Sequence, residues 1–286
     1  MILIADSGST KTEWREIEGG KAGRSYISSG INPFFISSDE IVRLLGRELP
    51  ELKDAGISQV FFYGTGVSNP AKAEIVRGAL ASFFGTGALF IGSDLLGAAR
   101  SLCQDEPGIA CIIGTGSNSC YYDGKNIVSN VSPLGYILGD EGGGAVIGRK
   151  LVAGVLKKQL PGIVIENFFK TYPYTPAEIL DNVYNMPLPN RFLGQFSRFI
   201  SDNIHVPELQ AIITSSFDEF ITRNVLSYPE ARKYPIHFTG SIAFHFRPFL
   251  EDLLRKHRLQ PGIFTLTPME NLVRYHIQNS HFQENE

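Results

Sequence analysis

The chain has 286 residues, 43% of them hydrophobic and 19% charged, with a formal net charge of −3 and a pI near 6.1. Such a composition describes a globular protein of one large or two ordinary domains, and its mild acidity argues against nucleic acid or an anionic membrane as the principal partner. No apolar run approaches the roughly 20 residues of a membrane span. The N-terminus lacks a basic segment, and three cysteines without C-x-x-C spacing suit buried thiols, so the expected location is the cytoplasm.

Ile2-Leu3-Ile4-Ala5 reads as a buried strand, and it ends on "DSGSTKTEW", Asp6 to Trp14. A hairpin needs about two to five residues in its turn, and six donor-rich residues from Ser7 to Thr12 exceed that need. Glycine lets backbone N–H groups approach a phosphate closely, Ser and Thr add hydroxyls, Lys adds charge, and Asp can hold a hydrated divalent cation. Taken alone, an ordinary polar hairpin is the simpler reading.

Thr12 to Ile17 and Gly23 to Ser28 continue as strands around a Gly19-Gly20 turn. Ser37 with Glu40 forms a capping box for a helix over Ile41–Leu49, which stops before Pro50. "QVFFYGTG" is a strand, Lys72–Phe84 a helix, and "GALFIGSD" a strand ending on Asp94 with a helix over Leu95–Leu102 behind it. The order is βββαβαβα, a mixed α/β arrangement.

The opening pattern then recurs in "IACIIGTGSNSCYYDGKNIVSN": an apolar strand, a Gly/Ser/Thr/Asn turn, a strand, and an Asp-Gly turn into a third strand. Laying Gly116 on Gly8, an offset of 108, puts Ser117 on Ser9, Asn118 on Thr10 and Gly114 on Asp6. This spacing points to an internal duplication with two phosphate-gripping hairpins. "GYILGDEGGGAVIGRKLVAGVL" reads as a strand or turn leading into a glycine-started helix. Helices over Pro176–Asn185, Arg191–Asn203 and Pro207–Ser227 follow, the first capped by Thr175 with Glu178. "PIHFTGSIAFHF" is a strand broken at Thr239-Gly240-Ser241, where a helix to His257 begins; a strand over Gly262–Leu266, a helix over Met269–Gln278 and a frayed tail complete the chain.

The chain has no G-x-x-x-x-G-K-[ST], no complete G-x-G-x-x-G, no G-x-S-x-G and no zinc-like histidine spacing. His237 and His245, flanking the Gly-Ser turn, read as structural residues.

"ADSGSTKTEW", "GSDLLGAA", "GTGSNS", "GYILGDEGGG" and "FTGSIA" occur in the order seen in the BadF/BadG/BcrA/BcrD family of ATPases. The chain resembles that family's N-acetylglucosamine kinase branch, within the actin-like ATPase superfamily. The resemblance covers nearly the whole length. It implies an α/β fold of two ribonuclease-H-like domains, 1–108 joined by the C-terminal helix 268–286, and 109–267, with nucleotide and sugar in an interdomain cleft. It implies ATP and Mg²⁺, with Asp6 placing the metal, and Gly8, Ser9, Thr10 and Lys11 on the outer phosphates. Thr115 and Gly116 would close on the phosphates from the second hairpin, and Gly240 and Ser241 would face the adenosine.

A sugar kinase needs a base beside the attacking hydroxyl, and Asp94, at the end of a buried strand, is the candidate; the competing role is N-cap of the following helix. By position, the sugar contacts are Asn32, Asp94, Ser117, Asn118, Gly135, Tyr136 and Asp140. Asn32 reads equally as an Asn-Pro turn and Asp140 as a helix cap. Ser132-Pro133-Leu134-Gly135 stands where the branch often has Gly-Gly-Trp-Gly, which removes an aromatic near the sugar.

The expected activity is phosphorylation of an amino sugar, foremost N-acetylglucosamine at its 6-hydroxyl. Glucosamine and N-acetylmuramic acid are alternative substrates. The family's other branch, ATPases that activate 2-hydroxyacyl-CoA dehydratases through a cysteine-held iron–sulfur cluster, and a non-enzymatic nucleotide-binding module are the alternative functions. A homodimer is left open.

Overall fold

Side chains of β1 (Ile2–Ser7) alternate between two buried layers, the signature of a central strand covered on both faces. The computed structural model describes residues 1–8 and 10–279; Ser9, assigned above to a phosphate, and the tail 280–286 lie outside the described residues. β1 pairs antiparallel with β2 (Lys11–Glu18), and β2 with β3 (Lys21–Ser29). After α1 (Ser38–Glu48) comes β4 (Gln59–Gly64), then α2 (Pro70–Phe84), β5 (Leu89–Ser93) and α3 (Asp94–Cys103). β4 and β5 run parallel to β1, giving the order β3-β2-β1-β4-β5.

β6 (Gly108–Ile113), β7 (Ser117–Tyr122) and β8 (Ile127–Val131) form a second meander. The helices α4 (Gly135–Leu138), α5 (Gly144–Leu156), α6 (Gly162–Thr171), α7 (Pro176–Tyr184), α8 (Pro189–Gly194), α9 (Ser197–Asp202) and α10 (Pro207–Arg223) follow. β9 (Ile236–Thr239), α11 (Ser241–His245), α12 (Arg247–Lys256), β10 (Pro261–Thr265) and α13 (Met269–Asn279) close the chain. The second sheet is β10-β9-β6-β7-β8. Read from β8, it repeats the first sheet's order strand for strand.

The described residues divide into two units, one of 1–106, 124–127 and 267–279, the other of 107–123 and 128–266. In the first, Leu3, Ala5, Trp14 and Phe62 pack with residues of α1 and α2, whereas Ile4, Ile17 and Tyr63 pack with Met269, Leu272 and Val273 of α13. In the second, Ile109, Cys111, Ile113 and Phe238 share a core with α5, α6, α8, α9, α10 and α12. No described helix is long and apolar enough to cross a membrane.

The expected capping boxes form: Ser37 and Thr175 each accept the N–H of the glutamate three residues on and receive its carboxylate. One helix is unforeseen and two expected helices are each broken in two. α6 has no cue in "GIVIENFF", whose β-branched run disfavours a helix; burial of Val164 and Phe168, four residues apart on one face, decides it. The expected helix 191–203 is two, α8 and α9, with the Ser197 hydroxyl taking the Gly194 carbonyl at 2.7 Å. The helix expected from Ser241 to His257 breaks at Phe246, because Pro248 has no N–H for the Phe244 carbonyl. Residues 135–138, expected as a strand or turn, form a helical turn.

The repeat is real, but its register differs from the glycine-on-glycine alignment. Ser7 faces Thr12 across the first hairpin and Ile113 faces Ser117 across the second. Ile113 therefore takes the place of Ser7, Gly114 that of Gly8, and Ile112 that of Asp6. The second hairpin has no counterpart of the Asp6 carboxylate.

Candidate active site

The first unit gathers carboxylates at the C-terminal ends of its parallel strands, the usual ligand edge of an open α/β sheet. Asp6 lies one residue before the end of β1, on the same face as Ile4, and is paired in register with Tyr63 of β4 and Glu13 of β2. Asp94 directly follows β5 as the first residue of α3. The helix cap is not Asp94 but Ser93, whose hydroxyl accepts the Leu96 N–H at 3.1 Å. The Asp94 carboxylate accepts the N–H of Leu95 at 2.8 Å and its own backbone N–H.

Burial raises the Asp94 pKa. Asp6 is pushed up to about 7, first by burial and then by the charges of Asp94 and Glu13, with Lys11 opposing. Two carboxylates whose ionisation is mutually unfavourable form a pair that a divalent cation would relieve. The donor set suits Mg²⁺, which takes one or two carboxylates and completes its shell with water and phosphate oxygens.

The hairpin above them is held from inside. Gly8 N–H donates to the Lys11 carbonyl at 3.0 Å. The hydroxyls of Ser7 and Thr12 lie 2.7 Å apart; Thr12 also reaches the Ser29 carbonyl, and Ser7 receives the Ile31 N–H. Two of the six donor-rich residues are thus structural. Thr10 binds the Gly30 N–H through its carbonyl, leaving its exposed side chain and that of Lys11 pointing outward. Asn32 forms the Asn-Pro turn: its Oδ1 accepts the Phe34 N–H at 3.0 Å, and its Nδ2 makes no hydrogen bond among the described residues. Gly66, at φ +82°, packs on that Oδ1, where an added side-chain carbon would come within 2.8 Å.

In the second unit the turn Gly114-Thr115-Gly116 is docked on a helix start. The Gly114 and Thr115 carbonyls accept the N–H groups of Gly144 and Ala145, at 2.8 and 2.9 Å. Asp140, at φ +50°, does not cap α5, whose cap is Gly143; its Oδ1 instead accepts the Ser117 N–H at 3.1 Å. Gly116 lies against the same carboxylate, 2.8 Å from where its missing side-chain carbon would stand. Burial and then Glu141 raise the Asp140 pKa, while the Ser117 N–H lowers it.

Thr115, Gly116, Ser117 and Asp140 are thus brought together. Asn118 is on β7, with its Oδ1 taken by Ser119 N–H and Asn130 Nδ2. Gly135 begins α4 at φ +74°, and Tyr136 packs partly against the unit's core while its carbonyl receives Arg149. Gly240, at φ +113°, ends β9 so close to β6 that a side-chain carbon would meet the Ile113 carbonyl at 2.4 Å; Ser241 is exposed beside it. Glu141, beside Asp140 in "GDEGGG", pairs with Arg223 at 2.9 Å and Asn224 at 3.2 Å, partners about 80 residues away that the motif itself does not display.

The chain is 47% identical to a Porphyromonas gingivalis protein provisionally named an N-acetylglucosamine kinase, with a TM-score of 0.94 over 98% of this chain and 100% of that one. The chain belongs to that N-acetylglucosamine kinase-like family of actin-like ATPases. A Chromobacterium violaceum protein with the same provisional name is 18% identical, with a TM-score of 0.70 over 96% and 98% of the chains. A Listeria monocytogenes protein provisionally named an N-acetylmannosamine kinase is 14% identical, at 0.54 over 99% of each; these two share the fold. No protein-family model matches the chain, and no curated protein matches it.

Proposed function

We propose that this chain is an ATP-dependent sugar kinase of the BadF/BadG/BcrA/BcrD family that transfers the γ-phosphoryl group to the 6-hydroxyl of an amino sugar, foremost N-acetylglucosamine. The observation that carries this reading is the division of labour at Ser93-Asp94: Ser93 caps α3, so the neighbouring carboxylate is available for chemistry. Asp94 accepts the hydroxyl proton as the sugar oxygen attacks phosphorus and ADP departs, and its burial-raised pKa suits a base better than an ordinary surface carboxylate would.

Asp6 would hold Mg²⁺, which supplies charge neutralisation at the transferring phosphates. Gly8, Ser9, Thr10, Lys11, Thr115 and Gly116 are assigned to the phosphates, and Gly240 and Ser241 to the adenosine. Asn32 offers its Nδ2 to a sugar hydroxyl, and Asp140 with Ser117 holds the second hairpin in shape. The remaining sugar contacts are assigned to Asn118, Gly135 and Tyr136. Such an enzyme would work in the cytoplasm.

Supporting this reading over an iron–sulfur ATPase, Cys103, Cys111 and Cys120 are all buried, and burial pushes the Cys103 thiol up to about 12, against thiolate formation. An ADP-release assay across N-acetylglucosamine, glucosamine, N-acetylmannosamine, N-acetylmuramic acid and glucose tests it. Sugar-dependent release with the highest kcat/KM on N-acetylglucosamine is expected. Release indifferent to every sugar would overturn it.

A further inference from the structure

Tyr63 occupies a position that the function above does not use. It is the penultimate residue of β4, beside Asp6 in the parallel register, fully buried on the sheet face that packs with α13. α3 lies directly on it. One turn behind Asp94, a side-chain carbon at Gly97 would stand 2.9 Å from Tyr63 Cβ, 3.0 Å from Cγ and 3.1 Å from Cδ1. These atoms are the root of the side chain, fixed by the strand, so they cannot swing aside; the helix sits this low because residue 97 is glycine. Gly92, two residues before Asp94, leaves room first for the Phe90 ring and then for the Tyr63 ring, its missing carbon standing 2.8 Å from Phe90 Cε1 and 3.2 Å from Tyr63 Cδ1.

The other end of the ring is also pinned. The Tyr63 hydroxyl accepts from Arg100 Nη1 at 2.7 Å and shares a 2.9 Å hydrogen bond with His276 Nε2 of α13. Arg100 is on α3 itself, two turns beyond Asp94. Its guanidinium lies 4.8 Å from the Phe90 ring, 5.3 Å from Tyr275 and 5.8 Å from Tyr63, so it is held by strand, helix and C-terminal helix at once.

One side chain therefore touches the strand next to Asp6, the helix that begins at Asp94, and the helix that closes the unit. We propose that Tyr63 is a positioning residue: its ring, pinned by β4 at one end and by Arg100 and His276 at the other, sets how deeply α3 seats on the sheet and hence where Asp94 stands relative to Asp6. This rests on the kinase reading, in which those two carboxylates must meet one phosphoryl transfer. Packing alone would give the same contacts; the difference is in what a small displacement costs. A shift of a few tenths of an ångström in α3 hardly changes substrate binding but misplaces the base, and misplacement of about 1 Å can cost on the order of 100-fold in rate.

The test uses the full chain and two variants. Gly97→Ala adds the methyl group that the ring excludes, and Tyr63→Phe keeps the ring but removes the hydroxyl that Arg100 and His276 hold. After the parent's sugar-dependent ADP release is established, kcat is measured per folded molecule, well below each variant's melting temperature. Gly97→Ala is expected to lower kcat about tenfold and Tyr63→Phe about threefold, both with KM for ATP and sugar within twofold of the parent. A purely structural role would lower melting temperatures and leave kcat per folded molecule unchanged; that result overturns the proposal and spares the kinase reading. A parent without sugar-dependent turnover overturns both. If Gly97→Ala does not fold, Tyr63→Phe decides alone, and a parental kcat in that variant overturns the proposal.

Discussion

The two hairpins that open the two sheets hold the same place in the same strand order and are built by different means. The first is closed from within, by the Ser7 and Thr12 hydroxyls, and stands beside two carboxylates, Asp6 and Asp94, fixed to strand ends. The second has Ile112 in place of Asp6 and is closed from outside, by the N–H groups of α5 and by the Asp140 carboxylate reaching Ser117. Their chemistry follows: the first concentrates negative charge that favours a cation, while the second spends its one carboxylate on holding a turn. A duplicated fold can thus keep its topology while one copy gathers paired carboxylates and the other does not.

The largest effect expected of this asymmetry is at Asp94. Asp94→Asn keeps the size and cannot accept a proton at neutral pH, so kcat on the preferred sugar should fall by about 10²–10⁴-fold. Because Ser93 carries the cap and a buried carboxylate is replaced by a neutral amide, the melting temperature should hold or rise. A folded variant within a few-fold of parental kcat would return Asp94 to an ordinary structural role. Asp6→Asn should act differently. It removes a carboxylate already disfavoured by burial and by Asp94, so stability should not fall, while turnover at limiting Mg²⁺ drops on the order of tenfold or more and partly recovers at high Mg²⁺. Turnover with parental dependence on Mg²⁺ would separate Asp6 from the metal.

Much of this contrast was legible before any coordinates, and what was not has physical causes. The strands, both hairpins, the capping boxes at Ser37 and Thr175, and Asp94 at a strand end are local patterns of two- or four-residue period, which a sequence displays directly. The register of the repeat is hidden in the sequence because the glycines match one way and the strand ends that fix pairing another; the turns differ in length by one residue, Ser7 facing Thr12 but Ile113 facing Ser117. Ser93 and Asp94 are both good capping residues, and only coordinates show which one turns back onto the helix. Tyr63 and His276 are 213 residues apart, and no local rule brings them together. α6 formed against its local preference because Val164 and Phe168 had a core to enter.

Acid should reveal a feature the units share. Each buries a histidine in its neutral form: His276 in the first, pushed down to about 3 by burial and then Arg100, and His237 in the second, pushed down to about 4 by burial. His276 faces Tyr63, Phe61 and Tyr275; His237 receives the Ile263 N–H on Nδ1 at 3.0 Å. An unfolded histidine protonates near 6.5, so below that pH the unfolded chain binds protons that the folded units refuse. The histidines' contribution to stability is therefore fully present above pH 6.5 and falls as pH drops from 6.5 towards about 4, while Asp6, Asp94 and Asp140, whose pKa values folding raises, contribute in the opposite sense. The difference between parent and variant isolates one histidine: between pH 7 and 4, His276→Gln should lose less melting temperature, or gain more, than the parent, and the parent's pH dependence in that variant would remove His276 from the account.

A smaller effect separates the second unit's carboxylate from the first unit's. Asp140→Ala leaves the buried Ser117 N–H without its acceptor and should cost about 1–3 kcal/mol, seen as a lower denaturant midpoint, whereas Asp140→Asn retains an acceptor oxygen and should recover most of that loss. Equal stability of the alanine and asparagine variants would break the assignment of Asp140 as the residue that shapes the second hairpin.

The smallest effect tests the same comparison one residue from its centre. Ser93→Ala removes the hydroxyl that accepts the Leu96 N–H, and loss of such a cap costs about 1 kcal/mol. Asp94, adjacent and equally suited to capping, could respond in either of two ways. If its carboxylate is held to its present direction by the tight seating of α3 on Tyr63, the helix loses its cap, stability falls by that amount and kcat stays near the parent's. If the carboxylate turns to take the vacated N–H, stability is preserved and kcat falls, because a base engaged as a cap is a poor proton acceptor. The seating of Gly97 against the root of the Tyr63 side chain leaves α3 little room to adjust, so the first outcome is expected. Denaturant midpoint and kcat measured on the same Ser93→Ala preparation distinguish them: a stable variant with depressed turnover would show that capping and catalysis at this helix start are exchangeable.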